Sequence, residues 1–241
     1  MLVLLKRFVP RLIRITVKNG LGFNEAIRPL VRKYCVGRGL EIGAGKAPYC
    51  DPSHTVFLDK FTDNKDGTPK PDIVADADRI PVPDAAFDYV FSSHVLEHMP
   101  NTIKALQEWL RVLRPSGILF VVLPHGDRTL DRLRRKTTLE HHFADANNLI
   151  DGQTDRSHDD EIKEGWSKLP EFPRLAEEFE KEWGAPVWDF EFRHRNGVIH
   201  FHVWTQDELV RLLQHLHLTI LAVIEQTPER YDSFVVVARR P

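Results

Sequence analysis

The chain is poor in cysteine, in net charge and in long apolar runs. Its only two cysteines, Cys35 and Cys50, cannot build a disulfide framework in 241 residues, so a reducing, cytoplasmic setting is expected. Lys plus Arg number 33 and Asp plus Glu 35, for a formal charge of −2. That balance excludes a chain-wide attraction to nucleic acid or to an anionic membrane. No stretch approaches 18 uncharged apolar residues, so no spanning helix is expected. Internal repeats and low-complexity tracts are missing too. What is present, 42% hydrophobic and 28% charged residues, suits a globular chain of one large domain or one domain with an insertion.

Residues 1–19 stand apart. Arg7, Arg11, Arg14 and Lys18 fall on one helical face, and Leu5, Phe8, Val9, Leu12 and Ile13 on the other, with Pro10 interrupting the pattern. The basic residues do not precede an apolar core, as a secretory signal requires. The segment reads either as an amphipathic helix packed on the main domain or as one in peripheral contact with an anionic membrane. From residue 37 the pattern is regular. Apolar runs at 39–42, 55–58, 73–75, 87–92 and 118–123 alternate with helical or turn-rich segments, among them a helix capped by Asn101 and running to about Leu113. The expected fold is α/β: a Rossmann-like, seven-stranded, mainly parallel sheet with an antiparallel last strand. Residues 124–199 break the alternation and are too long for a structureless loop, so they read as an inserted helical lid. Residues 200–241 add a helix capped by Thr205 and two strands, at 219–224 and 233–238. The organisation is thus an N-terminal segment 1–36, a first half of the domain at 37–123, the lid at 124–199 and the completing segment 200–241.

In open parallel sheets ligands bind at the carboxyl ends of the strands. Glu41-Ile42-Gly43-Ala44-Gly45 lies at such an end, and Asp59 follows at the tip of the next strand, where a carboxylate can accept both hydroxyls of a ribose. A dinucleotide fingerprint needs a third glycine, but Pro48 stands there.

Two later segments, Asp76-Ala77-Asp78-Arg79-Ile80-Pro81 and Phe87 through His98, follow in order and spacing. Together with Leu113-Arg114-Pro115-Ser116-Gly117, this series resembles the class I S-adenosylmethionine-dependent methyltransferases, most of all the type-11 subgroup with its quinone and small-molecule methylating enzymes. The resemblance implies S-adenosylmethionine as cofactor. It implies Gly43 and Gly45 under the methionine part, Glu41 near its amino group or steadying the loop, and Asp59 on the ribose. Asp76 and the Ala77 amide would meet the adenine, and Ser92 and His94 would line the methionine side. The lid, with Thr138-Leu139-Glu140-His141-His142 and later His200-Phe201-His202-Val203-Trp204-Thr205, is similar to bacterial methyltransferases of glycan assembly.

Twelve histidines fall mostly at strand tips or in the lid. His142, His202 and His125 are the candidate general bases, because a hydroxyl acceptor must lose its proton. Glu140, His141 or His142 with His200 or His202 could instead hold a divalent metal. A third reading makes the histidines structural. Alternation in His200-Phe201-His202 puts both imidazoles on one face if the segment is extended. Trp166, Trp183 and Trp188 read as the lid's own core or as the wall of an acceptor pocket. Arg132, Arg134, Arg135 and Lys136 read as a solvated basic run or as a seat for an acidic group, and the acidic second half of the lid disfavours nucleic acid. The expected activity is O-methylation of a small molecule or glycan. The alternatives are methylation of a quinone or lipid-linked ring, a non-catalytic scaffold keeping the fold, and a metal-dependent hydrolase built on the histidines.

Overall fold

A computed structural model describes residues 27–45, 47–61, 70–151, 155–227 and 230–241. The basic amphipathic pattern of residues 1–19 lies outside them. Seven strands, β1 (Gly39–Ile42), β2 (Thr55–Asp59), β3 (Ile73–Val74), β4 (Phe87–Ser93), β5 (Leu113–Pro124), β6 (Thr219–Ile224) and β7 (Ser233–Arg239), form one sheet in the order β3-β2-β1-β4-β5-β7-β6. All pairings are parallel except those of β7, which runs antiparallel to both β5 and β6. The order reverses between β1 and β4, and the candidate site sits above that point.

Strand alternation divides the core into two layers. Tyr89 and Phe91 of β4, Phe120 and Val122 of β5, and Val235 and Val237 of β7 meet Ile27 and Val31 of α1 (Ile27–Tyr34). Val90, Leu119, Val121, Phe234 and Val236 point the other way, onto α2 (Thr102–Val112) and α7 (Gln206–His215). Both helices start where the sequence provides caps. The Asn101 side chain accepts from the Lys104 amide at 2.9 Å, and Thr205 with Glu208 forms a reciprocal capping box. The fifth strand begins earlier than its apolar run, because the ladder starts at Leu113 and passes through Pro115-Ser116-Gly117, with Ser116 at φ 62°.

The lid segment folds as four helices, α3 (Leu139–Asn147), α4 (Asp159–Ser167), α5 (Phe172–Trp183) and α6 (Phe190–Arg195), preceded by two 3-10 turns. It has its own core of Ile162, Trp166, Leu169, Leu175 and Phe179, against which Trp183 and Trp188 pack. The three tryptophans therefore belong to that core. The basic run is largely neutralised in place: Arg132 pairs with Glu171 at 2.6 Å, Arg134 with Asp131 at 2.9 Å and Lys136 with Asp127 at 2.7 Å. Among the described residues no helix is long and apolar enough to cross a membrane.

Candidate active site

The turn after β1 is shaped by two glycines in the left-handed region, Gly43 at φ 70° and Gly45 at φ 54°. A side chain at Gly43 would collide with Val95, whereas a Cβ at Gly45 meets nothing closer than 3.9 Å. The turn is thus packed underneath and open above. Asp59, at the end of β2, leans over it: one carboxylate oxygen accepts from the Gly45 amide at 3.4 Å and the other from the Phe61 amide at 3.0 Å. Glu41 is buried and accepts from the amides of Tyr49 and Cys50, each at 2.9 Å. Both its oxygens are engaged in holding the loop that follows the turn, which is the loop-steadying alternative for this residue. Burial raises its carboxyl, against the two amides that lower it.

Asp76 stands exposed after β3, 3.1 Å from Lys60, and Ala77 is buried beneath, its carbonyl accepting from the Trp109 indole at 2.9 Å. At the end of β4, Ser92 is 1% exposed and its hydroxyl has no protein partner. His94 adopts φ 56° and its Nε2 lies 2.9 Å from the Ser233 hydroxyl and beside the Arg230 guanidinium. Burial, then Arg230, keeps this imidazole neutral, far below its ordinary pKa.

The next turn carries Glu97, fully buried, with neither carboxylate oxygen hydrogen-bonded. Its Oε1 lies 3.4 Å from Nδ1 of His94 and 3.8 Å from Nε2 of His98. Burial raises Glu97 to about 7, so it holds its proton through mildly acidic pH. His98 donates from Nδ1 to the Ile199 carbonyl at 2.6 Å, and burial lowers its pKa to about 3. Across from it, 4.8 Å between ring centres, stands His200. Its Nδ1 donates to Asp131 at 2.7 Å, and Asp131 in turn accepts from Arg134 at 2.9 Å and the Trp166 indole at 3.1 Å. Burial opposes charge on His200, but the Asp131 carboxylate outweighs it and raises the imidazole above its ordinary pKa. Burial also works against charge on Asp131, yet His200 and Arg134 hold it well below the usual carboxylate range. An Asp-oriented imidazole whose other nitrogen is uncommitted is suited to take a proton.

A second histidine cluster lies alongside. His141 and Asp145 share one face of α3, His158 precedes α4, and His202 enters from the segment before α7. Asp145 Oδ2 accepts from His202 Nε2 at 2.9 Å, and His141 Nε2 lies 3.3 Å from the same oxygen.

The three candidate bases of the sequence, His142, His202 and His125, sit in different settings. His142 is buried, stacked 4.5 Å from Trp204, and burial drives its pKa to about 2. His202 is equally buried and its Nε2 is taken by Asp145. His125 caps a turn with Nδ1, accepting from the Asp127 amide at 3.2 Å, and meets Gln206 with Nε2 at 3.0 Å. The ring nitrogens of His202 and His125 are engaged, whereas those of His142 are buried and have no hydrogen-bond partner. The alternation in His200-Phe201-His202 fails for a related reason. The segment is not a strand: Arg134 binds the carbonyls of His200 and Phe201, and the Glu97 carbonyl accepts from the Phe201 amide, so the imidazoles enter different clusters. Sequence reasoning missed Glu97, Asp131, Asp145 and His158. Only Asp145 carried a signal, four residues after His141 on a helix.

The cavity of about 590 Å³ bordered by Lys33, Asp88, Arg114 and Arg239 opens at the amino ends of β4 and β5, away from all these groups.

Residues 40–121 match a family model described as a methyltransferase domain. The chain is 40% identical over 68 residues to the ubiquinone/menaquinone biosynthesis C-methyltransferase UbiE of Laribacter hongkongensis, covering 28% of this chain and 27% of that one. It is 41% identical over 110 residues to the protein of the same name from Bordetella parapertussis, covering 40% and 42%. The chain thus spans only about a quarter of the length of the first curated relative it matches. Among solved structures, a S-adenosylmethionine-dependent methyltransferase from Mesorhizobium loti shares the fold over 88% of this chain and 96% of its own, with a TM-score of 0.51 at 19% identity. Residues 40–121 are thus similar to a methyltransferase domain, and the chain shares its fold with a S-adenosylmethionine-dependent methyltransferase.

Proposed function

We propose that the protein transfers a methyl group to a hydroxyl of a small molecule or glycan, with His200, oriented by Asp131, taking the hydroxyl proton. S-adenosylmethionine would supply the electrophilic methyl. The residues at the turn fit that group. The open space above Gly45, the Asp59 carboxylate over it and the unpartnered Ser92 hydroxyl form a cradle with polar groups left to satisfy. Gly43 and Gly45 would lie under the methionine part, Asp59 would accept from the ribose, Asp76 and Ala77 would border the adenine, and Ser92 and His94 would line the methionine side. Glu41 acts through the loop it holds.

The observation that carries the hydroxyl acceptor is the Asp131–His200 pair at 2.7 Å, beside the Glu97–His98 turn that follows β4. His200 would receive the acceptor's proton at Nε2 and Asp131 would stabilise the resulting cation, while the sulfonium that gives up its methyl to the oxygen would leave as a neutral thioether. The glycan class rests on the lid's resemblance alone. The likeness to the UbiE proteins supports a quinone ring as the second reading, but it covers only 28% of this chain.

Calorimetric titration with S-adenosylmethionine, followed by turnover on hydroxylated glycans and on quinols, tests the proposal. Failure to bind the cofactor overturns the whole reading. Turnover on quinols alone overturns the hydroxyl-glycan class, and binding without turnover on any acceptor leaves the scaffold. The basic amphipathic sequence pattern of residues 1–19 supports a peripheral seat on an anionic membrane. Co-sedimentation of the full chain, but not of one lacking residues 1–18, with phosphatidylglycerol vesicles is the matching check.

A further inference from the structure

We propose that His141, Asp145, His158 and His202 form a closed binding site for a divalent transition metal, zinc above all, that fastens the inserted helical block to the sheet. This inference does not depend on the methyl-transfer reading. One ligand atom from each of the four residues lies within 4.8 Å of every other. Tetrahedral zinc with bonds of about 2.0–2.1 Å needs ligand atoms roughly 3.3 Å apart. The separations around the centre match: 3.3 Å from His141 Nε2 to Asp145 Oδ2, 2.9 Å from His202 Nε2 to the same oxygen, and 3.4 Å between Nε2 of His141 and Nε2 of His158. Three imidazoles and one carboxylate are a nitrogen-rich, borderline-soft set, suited to zinc rather than to magnesium or calcium.

Hydrogen bonding alone serves this arrangement poorly. His141 Nε2 carries one proton or one lone pair, yet it faces both Asp145 and His158. A cation at the centre would take a lone pair from each group at once. The outer contacts are those of ligating histidines, whose second nitrogen is held by a neighbour. Nδ1 of His202 lies 3.2 Å from the Thr102 hydroxyl, and Nδ1 of His158 lies 3.4 Å from the Ser157 hydroxyl. Both hydroxyls thereby steady the rings with Nε2 turned to the centre. His202 and Asp145 are buried, whereas the His141 side chain is 43% exposed and gives an ion a way in.

The ligands come from three separate segments: α3, the start of α4, and the stretch before α7. Four protein ligands leave no open position, which is the mark of a structural site rather than a catalytic one. His142, Glu140 and His200 are outside it, since His142 stacks on Trp204 and His200 is bound to Asp131.

The test uses the full chain, stripped with a chelator and checked for folding by circular dichroism. Titration with zinc chloride should show one equivalent bound and a raised melting temperature. Cobalt(II) should give the intense visible absorption of a tetrahedral site. His141→Ala and Asp145→Asn, the first at a partly exposed ligand and so tolerant of folding, should each weaken zinc binding at least 100-fold. Thr102→Val should weaken it about 10- to 100-fold. A folded chain that binds neither zinc nor cobalt overturns the proposal, as does a folded His141→Ala/Asp145→Asn double variant that binds zinc as tightly as the parent.

Discussion

Nδ1 of His200 lies 2.7 Å from Oδ2 of Asp131, although 69 residues separate them in the chain. The pair spans the lid segment from its beginning to the start of the chain's return to the sheet, so the orienting carboxylate exists only when that segment is folded. Arg134 ties the same two ends together by pairing with Asp131 and binding the carbonyls of His200 and Phe201.

If His200 takes the proton, turnover rises with pH as the imidazole becomes neutral. Its pKa is raised above the ordinary 6.5, so the midpoint of that rise lies above pH 6.5. Asp131→Asn removes the charge that raises it, and the midpoint should move to lower pH while turnover falls. His200→Ala should lower turnover by about 10²–10⁴ with S-adenosylmethionine affinity unchanged. Rate–pH profiles of the folded variants check both, and an unmoved midpoint in Asp131→Asn removes His200 from the role.

Asp59→Ala should lose S-adenosylmethionine binding. Each hydrogen bond to a charged group is worth about 1.5–3 kcal/mol, which is roughly a 10- to 150-fold change in affinity. The carboxylate also accepts from the Gly45 amide, so the variant loosens the turn as well as the ribose contact. Calorimetric titration of the folded variant is the measurement, and unchanged affinity takes Asp59 out of the site.

Gly43→Ala should damage both fold and binding. At φ 70° a side chain is strained by about 1–3 kcal/mol, and this one would also strike Val95. Gly45→Ala carries the same backbone strain but nothing closer than 3.9 Å. The melting temperature should fall further for Gly43→Ala than for Gly45→Ala, and equal losses would mean that the Val95 contact relaxes freely.

The sheet was legible because its strands are short apolar runs closed by turn residues. Gly39–Ile42 and Thr219–Ile224 fall where the pattern places them. The turn after β1 was legible for the same local reason. The histidine clusters were not. Glu97 and Asp131 act through distant partners in no regular register: the Glu97 carbonyl accepts from the Phe201 amide, and Asp131 meets His200, 69 residues away. No periodicity encodes such contacts. The one-face expectation for His200 and His202 assumed a strand, and the segment is instead shaped by side chains that bind its carbonyls and amides.

Glu97 makes the last prediction, one of stability. Burial raises its pKa from the ordinary 4.5 to about 7 in the folded chain. Below the lower value both states are protonated and the residue is neutral in its effect. Between the two, the folded state binds the extra proton. Stability therefore falls as pH rises from 4.5 and levels off above 7, with a full loss on the order of 3 kcal/mol. Glu97→Gln keeps the shape and cannot ionise, so it should gain stability relative to the parent at pH 8 and show little of that gain at pH 4.5. Urea denaturation of both proteins at the two pH values measures the difference. A gap that does not change with pH would mean that His94 and His98 already pair with an ionised Glu97 in the folded chain, 3.4 Å and 3.8 Å from its Oε1.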